Sequence, residues 1–288
     1  MIDWKILNNE VYLYDGTFNG LLSIAFYCYI NKAIPCNVVA EEKYIHNLLE
    51  TARFIPTSEV SAERVFNGMY RVAGKEAVYD CYNAFLSGNA NKELPILKYI
   101  LNSFEIGPNI CNMLSIDYVL EVVKLRKNVL MEAHRFDGLV RLQEIGNNLW
   151  YASVHPDNNI IENVGQFLMR RFPMQNLILH DKNRNLAFMY SVLKPNNYEI
   201  IEVPENIQFS IFSEDEIKFQ SLWKTFFKSV AIKERTNPRL QMQFMPKKYW
   251  KDLTEVSWVK LTENGFSAIM KEAWLNSQIN LKGVFVYE

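Results

Sequence analysis

A chain of 288 residues with 49% hydrophobic content can bury a substantial core in one or two domains, which excludes a disordered or fibrous protein. Its formal net charge of -1 provides no global field toward nucleic acid or acidic membranes, so polyanion binding must come from a local patch. The longest apolar stretch, Leu21 to Ile30, is interrupted by Ser23 and is too short to span a membrane, and MIDWKILNNE has none of the basic start of a secretory leader. The expectation is a soluble, cytoplasmic protein.

In chain order, Val11 and Leu13 alternate as a strand, Asp15 and Gly16 turn, and Thr17 caps an apolar helix. An extended passage comes next, around Val38 to Ile45. From about 57 to 133 apolar residues recur at helical steps: Val65, Met69 and Val72; Leu97, Ile100, Leu101 and Phe104; Val119, Val122, Val123 and Arg126. Ser58, Ser61 and Ser115 are candidate caps for these packed helices.

The pattern changes at His134. HRFDGLVRLQEI alternates, Gly146 and Asn147 turn, and LWYASVHP forms a second strand, which predicts a hairpin. Asp157 to Asn159 then cap a helix with the apolar face Ile160, Ile161, Val164, Phe167 and Leu168, ending at Arg170, Arg171 and Pro173. NLILHD, LAFMYSV and YEIIEV are three further strands. Beyond Pro204, SEDE at 213–216 fits a capping box for a helix with Phe219, Leu222, Trp223, Phe226, Phe227 and Val230 on one face. Pro238 and Pro246 break the next stretch into short pieces, before a helix over about 263–276 and an extended GVFVYE tail.

The predicted class is α+β: a helical N-terminal half, a small antiparallel sheet in the order β-β-α-β-β-β, and C-terminal helices packed on it. The expected division is 1–133 and 134–288, with integration into one domain as the alternative.

Cys28, Cys36, Cys81 and Cys111 are scattered without a CxxC pair, and His46, His134, His155 and His180 add no ligand spacing. They predict reduced thiols, no metal and no cofactor. Loops of the GxxxxGKT and GxGxxG kinds, HExxH and GxSxG are absent from the sequence.

The strongest local signal lies between Lys224 and Lys251, where eight Lys or Arg stand against one acid, Glu234. Cations neutralise phosphates while flat side chains stack on bases, so Arg235, Arg239, Lys247, Lys248, Tyr249 and Trp250 are candidate nucleic-acid contacts, with Asn237 and Gln241 as polar partners for base edges. The alternative is a solvated helix face with aromatics locking the C-terminal pieces together. Arg170 and Arg171 either satisfy a helix C-terminus or form a second phosphate clamp beside that block. His134 and His155, on paired strands, are acid–base candidates, with Asp137 or Asp181 to orient a water. Tyr14 to Gly20 is either a plain strand-to-helix turn or an anion-binding concavity.

Together, YLYDGTFNGLL, HRFDGLVRLQEI, FLMRRFPMQNLILHD and ERTNPRLQMQFMPKKYW resemble a bacterial family of DNA metabolism or DNA repair proteins whose common domain has no assigned function. Members are encoded beside a radical-SAM protein of DNA modification or repair, and some relatives carry a uracil-DNA glycosylase-like domain. The resemblance implies a role in DNA repair or modification and a radical-SAM partner, with no reaction and no catalytic residue; the sequence has no CxxxCxxC motif of its own. Three readings are open: a DNA-binding accessory protein, a metal-independent DNA-processing enzyme of glycosylase or nuclease type, and a protein-binding scaffold.

Overall fold

A computed structural model of the chain describes residues 5–146, 148–204 and 214–255. Its backbone clusters into two units, Met1–Glu132 and Ala133–Glu288. The expected helix over 263–276, the GVFVYE tail and Ser213 of the capping box lie outside the described residues.

The first unit begins with strand β1 (Lys5–Tyr14), helix α1 (Phe18–Asn31) and strand β2 (Ala33–Ala40). Parallel strands need a crossover, and α1 supplies it between β1 and β2. Strand β3 (Thr51–Phe54) joins the other edge, also parallel, to give the order β2-β1-β3. This sheet was absent from the sequence-based fold class. The turn into α1 does follow the sequence: Gly16 takes φ +78°, which suits a residue without Cβ, and Thr17 Oγ1 accepts from Gly20 N at 3.0 Å.

Three helices complete this unit's core. Helix α2 (Glu59–Phe85) is capped by Ser58, whose Oγ accepts from Ser61 N, and is interrupted at Gly74. Helix α3 (Glu93–Ile106) and helix α4 (Asp117–Leu139) come after it. Val65, Met69, Leu97, Ile100, Leu101, Val119 and Val122 are buried at the helical spacing expected, whereas Val72 is 39% exposed. Arg126 reaches the buried Asp80 of α2 at 2.5 Å, so one position of that spacing carries an ion pair.

The predicted strand over His134–Leu139 is instead the last part of α4. Val129, Ala133 and Phe136 are buried at steps of four and three, continuing the face of Val122 and Leu125, and this satisfies a helix as well as alternation satisfied a strand. Only strand β4 (Gln143–Glu144) remains of the first hairpin arm, antiparallel to strand β5 (Leu149–Val154).

Strand β5 leads through helix α5 (Ile161–Arg171) to strand β6 (Asn176–Asp181), and β5 and β6 run parallel. Strand β7 (Leu186–Tyr190) and strand β8 (Tyr198–Glu202) add on in antiparallel order, so the sheet β4-β5-β6-β7-β8 is mixed where an antiparallel sheet was expected. The cause is visible in β6, buried at all six positions as a strand covered on both faces must be. Helix α6 (Glu214–Val230), helix α7 (Pro238–Phe244) and a 3-10 turn (Lys247–Asp252) end the described chain. The predicted apolar stripe of α6 is largely exposed, Phe219 at 71% and Phe226 at 55%, rather than buried against the sheet.

Helix α5 lies so close to β7 that a Cβ at Gly165 would stand 2.3 Å from the Phe188 ring, and Phe188 is fully buried. The ring cannot swing into solvent. Gly165→Ala should therefore cost about 1–3 kcal/mol by overpacking, measurable as a lower urea midpoint at unchanged slope.

Candidate functional site

The β5-α5-β6 unit has two chemically distinct ends. At the carboxyl ends of the parallel strands stand Ser153 and His155 from β5 and its exit, and His180 and Asp181 from β6. Asp252, the last residue of the 3-10 turn, meets them: Ser153 Oγ donates to Oδ1 at 2.7 Å, and His155 Nδ1 lies 2.8 Å from Oδ2. An ionised carboxylate only accepts, so Nδ1 donates, and in the neutral ring Nε2 then presents a lone pair. Nε2 makes no hydrogen bond among the described residues, and the His155 side chain is 25% exposed.

Behind this pair, Tyr151 Oη and His180 Nδ1 are 3.1 Å apart in the interior. Burial, with Lys182 and His155 nearby, lowers the His180 pKa to about 4, so the ring is neutral at physiological pH. Asp181 is fully buried, and its Oδ1 accepts from the backbone of Asn183 and Arg184 while Oδ2 pairs with Arg184 at 2.9 Å. Burial raises its pKa despite the Arg184 charge. It builds the β6-β7 turn, and its oxygens are engaged there.

The basic segment divides by use. Tyr249 is 3% exposed and packs edge-on to Phe136 at 4.9 Å between centroids, which fits the structural alternative rather than base stacking. Trp250 is half-buried and donates to Met245 O at 3.0 Å. Lys248 pairs with Asp157 and lies over the Tyr249 ring. Asn237 caps α7 by accepting from Leu240 N at 3.0 Å. By contrast, Lys228, Arg235, Arg239, Lys247 and Lys251 are exposed and form no ion pair among the described residues, and Gln241 is exposed beside them. Phe244, at 70% exposure, is the most exposed ring of the segment among the described residues, with Phe226 and Phe227 of α6 also exposed.

Helix α5 returns the chain to the amino ends of the strands, where Arg170 and Arg171 occupy its last turn. Lys248, for its part, pairs with Asp157 beyond the carboxyl end of β5. Arg171 borders a cavity of about 700 Å³ together with Asp137, Trp150, Phe172, Gln175 and Trp223. Asp137, on α4, faces exposed His134 at 3.8 Å; burial raises its pKa against the influence of His134 and Arg170. The structure thus separates the four acid–base candidates: His134 and Asp137 on a helix, His155 with Asp252, and Asp181 inside a turn. Asp252 and Ser153 escaped the sequence reading, because a carboxylate 97 residues from its histidine leaves no local pattern.

In the first unit, the Tyr14–Gly20 turn is filled by its own carboxylate. Asp15 accepts from Thr17 N at 2.9 Å, from Thr17 Oγ1 and from Thr57 Oγ1, which takes the donors an incoming anion would need. The four cysteines are free thiols. Among the described residues no group of three or more His, Cys, Asp or Glu is arranged to hold a metal, and no helix is long and apolar enough to cross a membrane.

Residues 90–255 match a family described as a domain of unknown function, DUF4130. The matched segment contains the Asp252 cluster, the cavity and the whole β4–β8 sheet, and leaves out the β1–β3 sheet. No curated protein matches the chain.

Because His180 is 4% exposed and its pKa is depressed, its contribution to stability is complete above the ordinary histidine value of 6.5. Below that value the unfolded chain takes up a proton that the folded ring refuses until about pH 4, so stability falls through this window. His180→Asn should lessen the loss between pH 6.5 and 4 by roughly 3 kcal/mol, read as the difference between chemical denaturation series of the two proteins.

Proposed function

The chain belongs to the DUF4130 family, and we propose that it is a DNA-binding protein of DNA repair or modification. The observation that carries this reading is the set of exposed cations Lys228, Arg235, Arg239, Lys247 and Lys251, none in an ion pair among the described residues, on a nearly neutral chain, with Phe244 exposed among them. Unpaired cations on a surface lose little by exchanging water for phosphate, and the counterions they release make such binding salt-dependent. The radical-SAM enzyme implied by the resemblance is the partner to which this surface would present DNA. Binding to labelled oligonucleotides, followed by anisotropy as salt is raised, should weaken with a slope of about 0.7 per phosphate contact on single strands and 0.9 on duplex. Replacing Arg235, Arg239, Lys247 and Lys251 together by Ala should lower affinity and flatten that slope. Undetectable binding at low salt, or binding indifferent to salt, sinks the proposal.

A specific observation favours a second reading, a metal-independent DNA-processing enzyme. His155 is oriented by Asp252 with Nε2 open, at the carboxyl ends of a parallel strand pair, where sheets of this kind commonly place their ligands. In that role Nε2 takes a proton from an attacking water, while Asp252 and Ser153 are positioning residues. On a panel of damaged-base oligonucleotides, base release or strand cleavage should fall about 10²–10⁴-fold in His155→Asn. Absence of any product across the panel removes this reading without touching the first.

A further inference from the structure

The cavity at the amino ends of β5 and β6 has a volume of about 700 Å³, within the ~300–1,000 Å³ usual for small-molecule sites. Trp150, Phe167, Phe172, Phe219 and Trp223 supply flat walls. Most of its polar side chains are engaged, Asp215 with Lys218 at 3.0 Å among them. Arg141 is committed to Glu255 by two bonds of 2.7 and 3.2 Å, and Glu216 accepts from Glu144 N and from Gln220. The same Glu255 accepts from Trp223 Nε1 at 3.1 Å, which fixes one aromatic wall.

Arg171, Gln175 and Asp137 stand apart from these. The side chains of Arg171 and Gln175 have no hydrogen bond or ion pair among the described residues, and Asp137 has only the long contact to His134 at 3.8 Å. Arg171 is exposed at the mouth, whereas Gln175 and Asp137 are half-buried. The cavity thus presents an unoccupied cationic fork, an amide that donates and accepts, and a carboxyl group, all beside aromatic faces.

Simple ligands satisfy only part of this set. An alkylammonium ion would suit the rings and Asp137 but is repelled by Arg171. A fatty acid would pair with Arg171 and leave Asp137 and Gln175 facing hydrocarbon, an unfavourable burial of polar groups. A phosphorylated planar heterocycle uses these three groups and the rings together: phosphate on the guanidinium, base edge on the carboxyl and amide, base face on the rings. We propose that this cavity binds one nucleotide unit, with its phosphate on Arg171 and its base edge on Asp137 and Gln175. The unit comes either from a free nucleoside monophosphate or from an unstacked residue of a strand, and the second source rests on the DNA-binding reading above.

Isothermal titration of the full chain with dAMP, dCMP, dGMP and dTMP tests the site directly. At least one should bind saturably, and Arg171→Ala and Asp137→Asn, each verified as folded by thermal melting, should weaken it about tenfold or more. The matching nucleoside without phosphate should bind less tightly to the unaltered protein and equally to Arg171→Ala. Heat from none of the four monophosphates, or affinities unchanged in both variants, overturns the proposal. A single-stranded oligonucleotide and its counterpart with one abasic residue separate the sources. If monophosphates bind and neither oligonucleotide does at low salt, the DNA reading fails and the cavity stands as a free-nucleotide site. If both oligonucleotides bind alike and no monophosphate does, the DNA reading stands and the cavity proposal fails.

Discussion

Two parallel neighbours cannot be joined by a hairpin, so the pairing of β5 with β6 obliges the intervening residues to cross the sheet and return. Helix α5 makes that return, and its tight seat on β7 follows from Gly165 meeting the face of Phe188. The consequence for chemistry is a polarity that an antiparallel sheet would lack. Both strands end together, bringing Ser153, His155, His180 and Asp181 to one rim, while the C-terminus of α5 delivers Arg170 and Arg171 to the other. The hydrogen-bonded cluster and the cavity are therefore products of one topological choice.

Asp252 converts that polarity into a fixed position for the basic segment. A carboxylate mostly removed from water must find donors, and Ser153 and the His155 ring provide two. Tyr249 against Phe136 and Lys248 on Asp157 fasten the same 3-10 turn. The residues that anchor the turn are lost to ligand binding, which is why the eight basic residues of the segment are unequal. Lys248 serves the fold, while Arg235, Arg239, Lys247 and Lys251 extend into solvent without a partner of their own among the described residues.

Much of the element order was legible because its signals are local. Thr17 and Ser58 cap the helices they precede, and LWYASV, NLILHD, LAFMY and YEIIE are strands. The misreading of HRFDGLVRLQEI has a physical origin. Over so short a window Phe136 and its neighbours fit alternation, and only the buried Val129 and Ala133 upstream reveal the helical face. Strand direction was also encoded, though less obviously, since NLILHD is apolar at three consecutive residues, Leu177 to Leu179, and is buried throughout. The site was legible only in part. His155 and the exposed arginines could be named from composition, but Asp252, Gln175 and Trp150 acquire their roles from contacts between distant segments, which periodicity does not carry.

The charge balance gives these placements an electrostatic meaning. The chain has 31 basic and 32 acidic residues, so concentrating five cations without an ion pair among the described residues on one segment leaves the remainder with an excess of acids. Screening at physiological salt, with a Debye length of about 8 Å, confines the attraction of those cations to the patch itself. On the proposed DNA-binding reading, long-range steering would be weak and contact would centre on Lys228–Lys251. On that reading a neutral chain with a local patch would select position better than a uniformly basic one, because the patch would set where the backbone lies.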